Sequence, residues 1–355
     1  MKPTTAVAVS GGVDSMMAAC LLKEQGHHVI GVHFVSGYEA DAVFTPARAE
    51  SESHPINAIG EQLGISIKLL DCRIAFKQQV VDYFIQTYFD GRTPNPCMVC
   101  NPLIKFGAVL SYAHELGADR LATGHYARIQ KDAAGIYHLL KGIDPLKDQS
   151  YFLARLNQSQ MAKAIFPMGD RLKSDIKEEA RQRGLRPVTK SESQDVCFIR
   201  DKSYNEFLQK HGDPTPSPGP IVDLQGNVIG HHNGLHQFTI GQRRGINCPA
   251  PEPYYVVRID PAGNRLVVGS KSDLLATSCK VTDINWINQA PCEPITVLTR
   301  VRYRHREAAG KLYPVDEQTA EIRFESPIES ITPGQGAVFY QGNEVLGGGF
   351  ISPDT

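Results

Sequence analysis

The segment Ser10-Gly-Gly-Val-Asp-Ser15 combines the residue types that hold a phosphate. Two adjacent glycines, Gly11 and Gly12, let the backbone come close to an anion. A helix starting behind them offers free N–H groups and the positive end of its dipole. Ser10 and Ser15 add hydroxyls, and Asp14 is a candidate Mg²⁺ ligand through carboxylate oxygen. No Gly-Lys-Ser/Thr ending follows, so this is not a Walker A loop, and G-x-G-x-x-G is absent here, which excludes the dinucleotide fingerprint. On spacing alone, a plain glycine-rich turn carrying an Asp is the alternative. Cysteines are the second chemical resource. Eight of them, at 20, 72, 97, 100, 197, 248, 279 and 292, are too sparse for a disulfide scaffold in 355 residues. Any that pair are expected to be redox-active, metal-binding or transient. Cys100 lies beyond Thr-Pro-Asn-Pro and Cys197 follows the polar run Thr189 to Asp195. Loops hold reactive groups better than cores do; two buried structural cysteines are the bland alternative.

The elements around these residues must position them. Ala6 to Val9 reads as a short buried strand leading into the glycine-rich segment. Ser15 to Gln25 then carries Met16, Met17, Ala19, Cys20, Leu21 and Leu22 at helical spacing and stops at Gly26. His27 to Val35, Ile65 to Leu70 and Arg120 to Thr123 read as further strands. Asn57 to Leu63, Phe76 to Phe89 and Leu103 to Leu116 read as helices. This alternation predicts an α/β fold with a doubly wound parallel sheet and right-handed crossovers. The proline-rich stretch Gly212 to Pro220 reads as a linker or irregular loop. Beyond it, turn sequences such as Asp260-Pro-Ala-Gly-Asn264 separate short strands, among them Tyr254 to Ile259 and Leu266 to Val268, and the chain from about 277 looks all-β. The expected division is 1–202, 203–273 and 274–355: a catalytic α/β domain, a small central domain and a β-barrel-like domain.

Hydrophobic residues make up 41% and charged residues 21%, enough for sizeable cores. A net charge of −1 excludes a uniformly basic nucleic-acid coat and an acidic tail, but leaves room for a local basic face. The apolar stretch near the start is too short for a signal peptide or a membrane span, so the expectation is a cytoplasmic protein without membrane attachment.

Ser10 to Ser15 after an N-terminal strand resembles the PP-loop of the ATP pyrophosphatases, which have an adenine nucleotide alpha hydrolase-like fold. Five further segments sharpen the resemblance: Gly91-Arg-Thr-Pro-Asn-Pro-Cys-Met-Val-Cys-Asn101, Thr123-Gly-His-Tyr-Ala-Arg128, Lys147-Asp-Gln-Ser-Tyr-Phe-Leu153, Asp195-Val-Cys-Phe-Ile199 and Phe238-Thr-Ile-Gly-Gln-Arg-Arg-Gly245. In this order they resemble the tRNA-specific 2-thiouridylase family from about residue 4 to the C-terminus. The resemblance implies ATP-dependent 2-thiolation of uridine 34 in tRNA, with Mg²⁺. The C2 oxygen is adenylated and a cysteine persulfide delivers sulfur. It places Cys100 as nucleophile and Cys197 as persulfide carrier, the two joining transiently as a disulfide. It assigns ATP to Ala8, Val9, Ser10, Gly11, Gly12, Val13, Asp14 and Ser15, with Phe34 at the adenine and Gly124 against the nucleotide. It assigns tRNA to Asn95, Pro96 and Cys97, to Lys147, Asp148 and Gln149, and to Arg302 and Tyr303. Implied partners are tRNAs for Lys, Glu and Gln and a persulfide donor, either a cysteine desulfurase or a sulfur-relay protein.

Cys97 departs from the pattern, since some family members carry an Asp there. Cys97, Cys100 and Cys197 together are compatible with a [4Fe–4S] cluster having one open iron, or with Zn²⁺, as well as with persulfide chemistry. Arg300-Val-Arg-Tyr-Arg-His-Arg306, if it is a strand, puts Arg300, Arg302, Arg304 and Arg306 on one side as a basic stripe for RNA phosphates, extended by Arg243 and Arg244. A solvated edge strand is the alternative. A small-molecule PP-loop ligase and a non-catalytic RNA-binding module with a decayed nucleotide site remain as rival functions; the first does not need Cys100 and Cys197, and the intact Ser10 to Ser15 loop argues against the second.

Overall fold

The computed structural model describes residues 2–39, 56–188, 196–200, 203–212, 217–249 and 251–353. The polar run 189–195 ahead of Cys197 and part of the linker, 213–216, lie outside them. Two compact units form: Met1–Val80 with Cys97–Arg200 and Asn343–Leu346, and Val81–Pro96 with Asp201–Gly342 and Gly347–Thr355.

The first unit is built on β1 (Thr4–Ala8), α1 (Val13–Glu24), β2 (His28–Val35), α2 (Asn57–Leu63), β3 (Ile67–Asp71), β4 (Arg120–Ala122), the hairpin β5–β6 (Ala127–Lys131 and Tyr137–Lys141) and β7 (Ala164–Ile165). Five strands make a parallel sheet in the order β3-β2-β1-β4-β7. Chain order reverses between β1 and β4. Two successive loops therefore leave the same end of the sheet in opposite directions and open a crevice between them, the usual ligand position of a doubly wound sheet. Val7, Val9, Met16, Met17 and Leu22 are buried in one core with Ile59, Leu63, Ile176 and Ala180. Met16, Met17 and Leu22 are fully covered, worth about 1.5–3 kcal/mol each. That burial fixes the start of α1 against β1.

Two expected helices are interrupted. Phe76 to Phe89 resolves into Arg73–Phe76, a π-helical stretch Lys77–Val81 and Asp82–Phe89. Leu103 to Leu116 begins earlier, at Pro96–Cys100, continues as a π-helix over Asn101–Val109 and ends in Leu110–Glu115. Pro102 stands at the start of that π stretch and has no N–H to give to an α ladder. The wider i→i+5 register relieves the conflict.

In the second unit, β8 (Gly219–Val222), β9 (Val228–His232), β10 (Tyr255–Asp260) and β11 (Arg265–Gly269) form a sheet ordered β10-β11-β8-β9. Its core gathers Ile221, Phe238, Val256, Leu266 and Val268. Six strands follow: β12 (Leu275–Trp286), β13 (Ile295–Arg300), β14 (Ala308–Asp316), β15 (Thr319–Glu329), β16 (Gly336–Gln341) and β17 (Glu344–Ile351). They run in the order β12-β15-β14-β13-β16-β17, and a β12–β17 pairing closes them into an antiparallel barrel, which removes the exposed edges. The arginine stripe is not a strand. β13 ends at Arg300, Thr299 pairs with Ala308, and 301–307 is the hairpin loop between them. Without a strand there is no period-2 face. Arg300 pairs inward with Glu307 at 2.7 Å, and only Arg304 and Arg306 are exposed.

In the first unit, the β5–β6 hairpin pairs with Glu344 and Val345. His138 there lies 2.6 Å from Glu344 Oε1 and 3.3 Å from Asp132 Oδ2. The hydrogen bond to Glu344, ahead of that to Asp132, raises its pKa. A raised folded value stabilises the fold at pH below the ordinary histidine range, and the contribution disappears as pH climbs through the folded value. Thermal unfolding of His138→Gln should fall about 1–3 °C below wild type at pH 5.5, with the gap closing by pH 8.5. A gap independent of pH would mean that charge on His138 plays no part.

Candidate active site

The phosphate loop is shaped from within. β1 ends at Ala8, and Val9 N donates to Val32 O at 2.8 Å, so the loop leaves the sheet at a fixed point. Gly11 has φ +87°, a conformation that favours glycine. Ser15 is buried; its hydroxyl donates to Gly12 O at 2.9 Å and accepts from Ser10 N at 3.2 Å. In this arrangement the Ser15 hydroxyl braces the loop. Gly12 caps α1 in extended conformation and makes no side-chain bond there, so the first N–H groups of the helix, at Val13, Asp14 and Ser15, have no intrahelical acceptor. These are anion-binding donors.

Asp14 is engaged differently from the Mg²⁺ expectation. Lys173 Nζ stands 2.6 and 2.7 Å from its two carboxylate oxygens, and Tyr126 Oη donates to Oδ1 at 2.8 Å. Lys173 is buried. A Mg²⁺ ion on this carboxylate would abut an ammonium, and no group of three metal-ligating side chains exists among the described residues. Asp14 therefore does not fit as the metal ligand; it fixes a cation beside the loop. Lys173 and Tyr126 are site residues that the motifs did not single out. Lys173 is the first residue of a helix, Lys173–Gln182, most of whose side chains are charged or polar.

The loop after β4 meets the phosphate loop. A Cβ on Gly124 would lie 2.8 Å from Asp14 C and 2.9 Å from Ser15 N, so only glycine admits this approach. Next to it, His125 is buried, with Nδ1 2.7 Å from Thr123 Oγ1 and Nε2 3.3 Å from Lys105 Nζ. Burial, then Lys105, hold its pKa well below the ordinary histidine range, so it is neutral. The ammonium can only donate, so Nε2 accepts and Nδ1 carries the proton given to Thr123.

The three candidate thiols act on one another electrostatically, and Lys105 acts on all of them. Cys100 is buried, Cys97 half-buried, and Cys197 exposed; all eight cysteines are free. Burial pushes Cys97 up to about 11 and Cys100 up to about 12, and also raises Cys197. Lys105 acts in the opposite direction on all three. The thiols do not converge as a ligand set among the described residues, so they do not fit a [4Fe–4S] or Zn²⁺ site here. Phe198 ties the Cys197 segment down. Its ring packs edge-on to Phe76 at 5.7 Å, and Phe76 meets the half-buried Phe34 at 6.4 Å. The candidate adenine platform and the candidate sulfur carrier thus share one aromatic cluster.

Profiles of three domain families match: "tRNA methyl transferase HUP domain" over 3–201, "tRNA methyl transferase PRC-barrel domain" over 205–270 and "Aminomethyltransferase beta-barrel domain" over 276–351. The chain is similar to curated proteins named tRNA-specific 2-thiouridylase. Identity is 47% to that of Desulfosudis oleivorans, covering 99% of this chain and 95% of the relative. It is 43% to that of Geobacter metallireducens, covering 97% and 95%. The chain belongs to the tRNA-specific 2-thiouridylase family.

The 2-thiouridylase motifs assigned to tRNA are placed unevenly. Asn95 and Pro96 are buried, and Asn95 N donates to Tyr83 Oη at 3.3 Å. Asp148 is buried and accepts from Gly142 N, Ser150 N and Ser150 Oγ, each at 3.1 Å. Gln149 Oε1 accepts from Tyr126 N at 3.0 Å. Those two side chains hold their loop in shape. Lys147 is half-buried, as is Tyr303. Arg302 donates to Ile240 O at 3.2 Å and to Thr332 Oγ1.

Gly124→Ala should displace the first turn of α1, because the atoms it meets are mostly backbone and cannot swing away. Overpacking of this kind costs about 1–3 kcal/mol. Calorimetric affinity for ATP should fall about tenfold or more, with a lower unfolding midpoint. Wild-type affinity in this variant would show that the loop tolerates a side chain. Lys173→Met strands the Asp14 carboxylate without its cation, and a loss of about 3 kcal/mol of unfolding free energy in denaturant titration is expected.

Proposed function

We propose that the protein uses ATP and Mg²⁺ to adenylate the C2 oxygen of uridine 34 in tRNA, then replaces that oxygen by persulfide sulfur. The observation that carries this is the single loop Thr123 to Tyr126, which touches the phosphate loop through Gly124 and Tyr126 and, through His125, holds Lys105, a cation that acts on all three thiols. An activated oxygen and a sulfur nucleophile must react in one place, and this loop brings both sets of groups into one unit. The family membership supports the same chemistry.

The orphan N–H groups of α1 would take phosphate oxygens, Phe34 would offer a flat apolar face to the adenine, and Mg²⁺, bound with the nucleotide, would offset phosphate charge. The C2 carbonyl is amide-like and its oxygen a poor leaving group; adenylation corrects both and releases pyrophosphate. The Cys197 persulfide anion attacks C2, AMP departs with the C–O electron pair, and a C2–S–S–Cys197 adduct forms. The Cys100 thiolate attacks the Cys197 sulfur. The S–S bond to the base breaks, 2-thiouridine leaves with that electron pair, and a Cys100–Cys197 disulfide remains. Two thiol equivalents from the donor side reduce it for the next turnover. Cys97 lies one helical turn before Cys100, on the same side of Pro96–Cys100. Partners are tRNAs, those for Lys, Glu and Gln by family likeness, and a cysteine desulfurase or relay protein, in the cytoplasm. No helix among the described residues is long and apolar enough to cross a membrane. Domain limits near 202 and 273 are part of this reading.

Nucleosides from tRNA incubated with protein, ATP and a cysteine-desulfurase donor should contain 2-thiouridine by mass spectrometry. Cys100→Ser and Cys197→Ser should each reduce it to background, since serine carries no persulfide and exchanges with none. Full thiolation by Cys197→Ser would remove the carrier role.

A further inference from the structure

Burial alone would leave this site with inert thiols, so the sulfur anions of the reaction need a compensating charge. Lys105 is a cation that acts on all three thiols. It lies five residues after Cys100, within the π-helical Asn101–Val109. An α-helix would carry a residue five positions on about 140° round its axis; an i→i+5 ladder brings it back toward the same face. The ladder is tight there, with a Cβ on Gly107 falling 3.0 Å from Pro102 O, five residues earlier.

Lys105 is also held in place. His125 Nε2 accepts from its ammonium, Thr123 Oγ1 fixes the other ring nitrogen, and Phe166 packs edge-on to the His125 ring at 5.9 Å. Phe166 in turn packs edge-on to Phe106, the residue after Lys105, at 5.8 Å. Both anchors are thus fixed to the same aromatic ring. Among the described residues no carboxylate pairs with Lys105. A neutral histidine orients the ammonium without cancelling its charge, which leaves that charge available to sulfur.

We propose that Lys105, seated by neutral His125, is the positioning cation for sulfur transfer, stabilising the Cys197 persulfide anion and the Cys100 thiolate, a role that rests on the sulfur-transfer reading above. It forms no bond to sulfur. Its charge lowers the energy of the anion that attacks C2 and then of the anion that attacks the Cys197 sulfur. Other groups act on these thiols: Arg200 favours and Glu39 disfavours the Cys197 anion, while Cys97 and Cys72 bear on Cys100. Of these only Lys105 and Arg200 are cations, and Arg200 acts on Cys197 from its own segment, not on Cys100.

The test is the pH profile of Cys197 alkylation by iodoacetamide, resolved by peptide mass from the other seven cysteines, in protein without tRNA, ATP or donor. Lys105→Met and Lys105→Gln, two neutral replacements of similar length, should each slow alkylation at pH 8 by about tenfold and move the profile to higher pH, whereas Lys105→Arg should restore most of the rate. In single-turnover thiolation the neutral variants should lose rate about tenfold or more with tRNA affinity unchanged. An alkylation profile that stays at wild type in both neutral variants, or that moves with Arg200→Met instead, overturns the proposal. Failure of the thiolation reading is separate: wild-type protein would then make no 2-thiouridine while the alkylation profile still shifted with Lys105.

Discussion

The molecule's chemistry depends on one close approach, that of Gly124 to the backbone of Asp14 and Ser15. β1 and β4 are neighbours in the sheet, and their loops leave it side by side. If the β4 loop carried a side chain at this point, the two loops would have to move apart to relieve contacts of 2.8–2.9 Å. Tyr126 would then lose its reach to Asp14, and His125 its place beside Lys105. A missing Cβ thus sets the spacing between a phosphate-binding helix end and a group of thiols.

Around that contact, the site balances burial against charge. Desolvation disfavours the thiolate form of Cys97 and Cys100. Reactivity must then come from fixed charges. The same logic governs Asp14 and Lys173, where a buried ammonium holds a carboxylate on the first turn of α1. Neither arrangement contributes much net stability, since pairing mainly repays desolvation. Both fix side chains to a single orientation next to atoms that must react.

Legibility in the sequence follows from how local each signal is. Asn57–Leu63 appears with the expected limits because its apolar spacing and its closing Gly64 lie within one turn of each other. The arginine run 300–306 fails because alternation is a property of strands, and the hairpin register of β13 and β14 turns those residues into a loop. The π stretches were not readable either. Pro102 gives a local reason for one, but an ordinary kink satisfies the same proline. Asp148 and Gln149 matched a motif, and their inward hydrogen bonds depend on Gly142 and Tyr126, which sequence separation hides.

The sequence by itself determined the glycine-rich loop between a strand and a helix, the parallel α/β class, the two cysteines at motif positions and the family they indicate. These are carried by residues close in the chain or by short motifs in order. Only the tertiary structure decided that Asp14 pairs with Lys173, that His125 is neutral and seats Lys105, and that Phe34 and Phe198 share one aromatic cluster. Each of these brings together residues from different elements, 20 to 164 positions apart. Protonation and ion pairing depend on distance and burial, which a linear pattern does not contain until the sheet order brings the loops together.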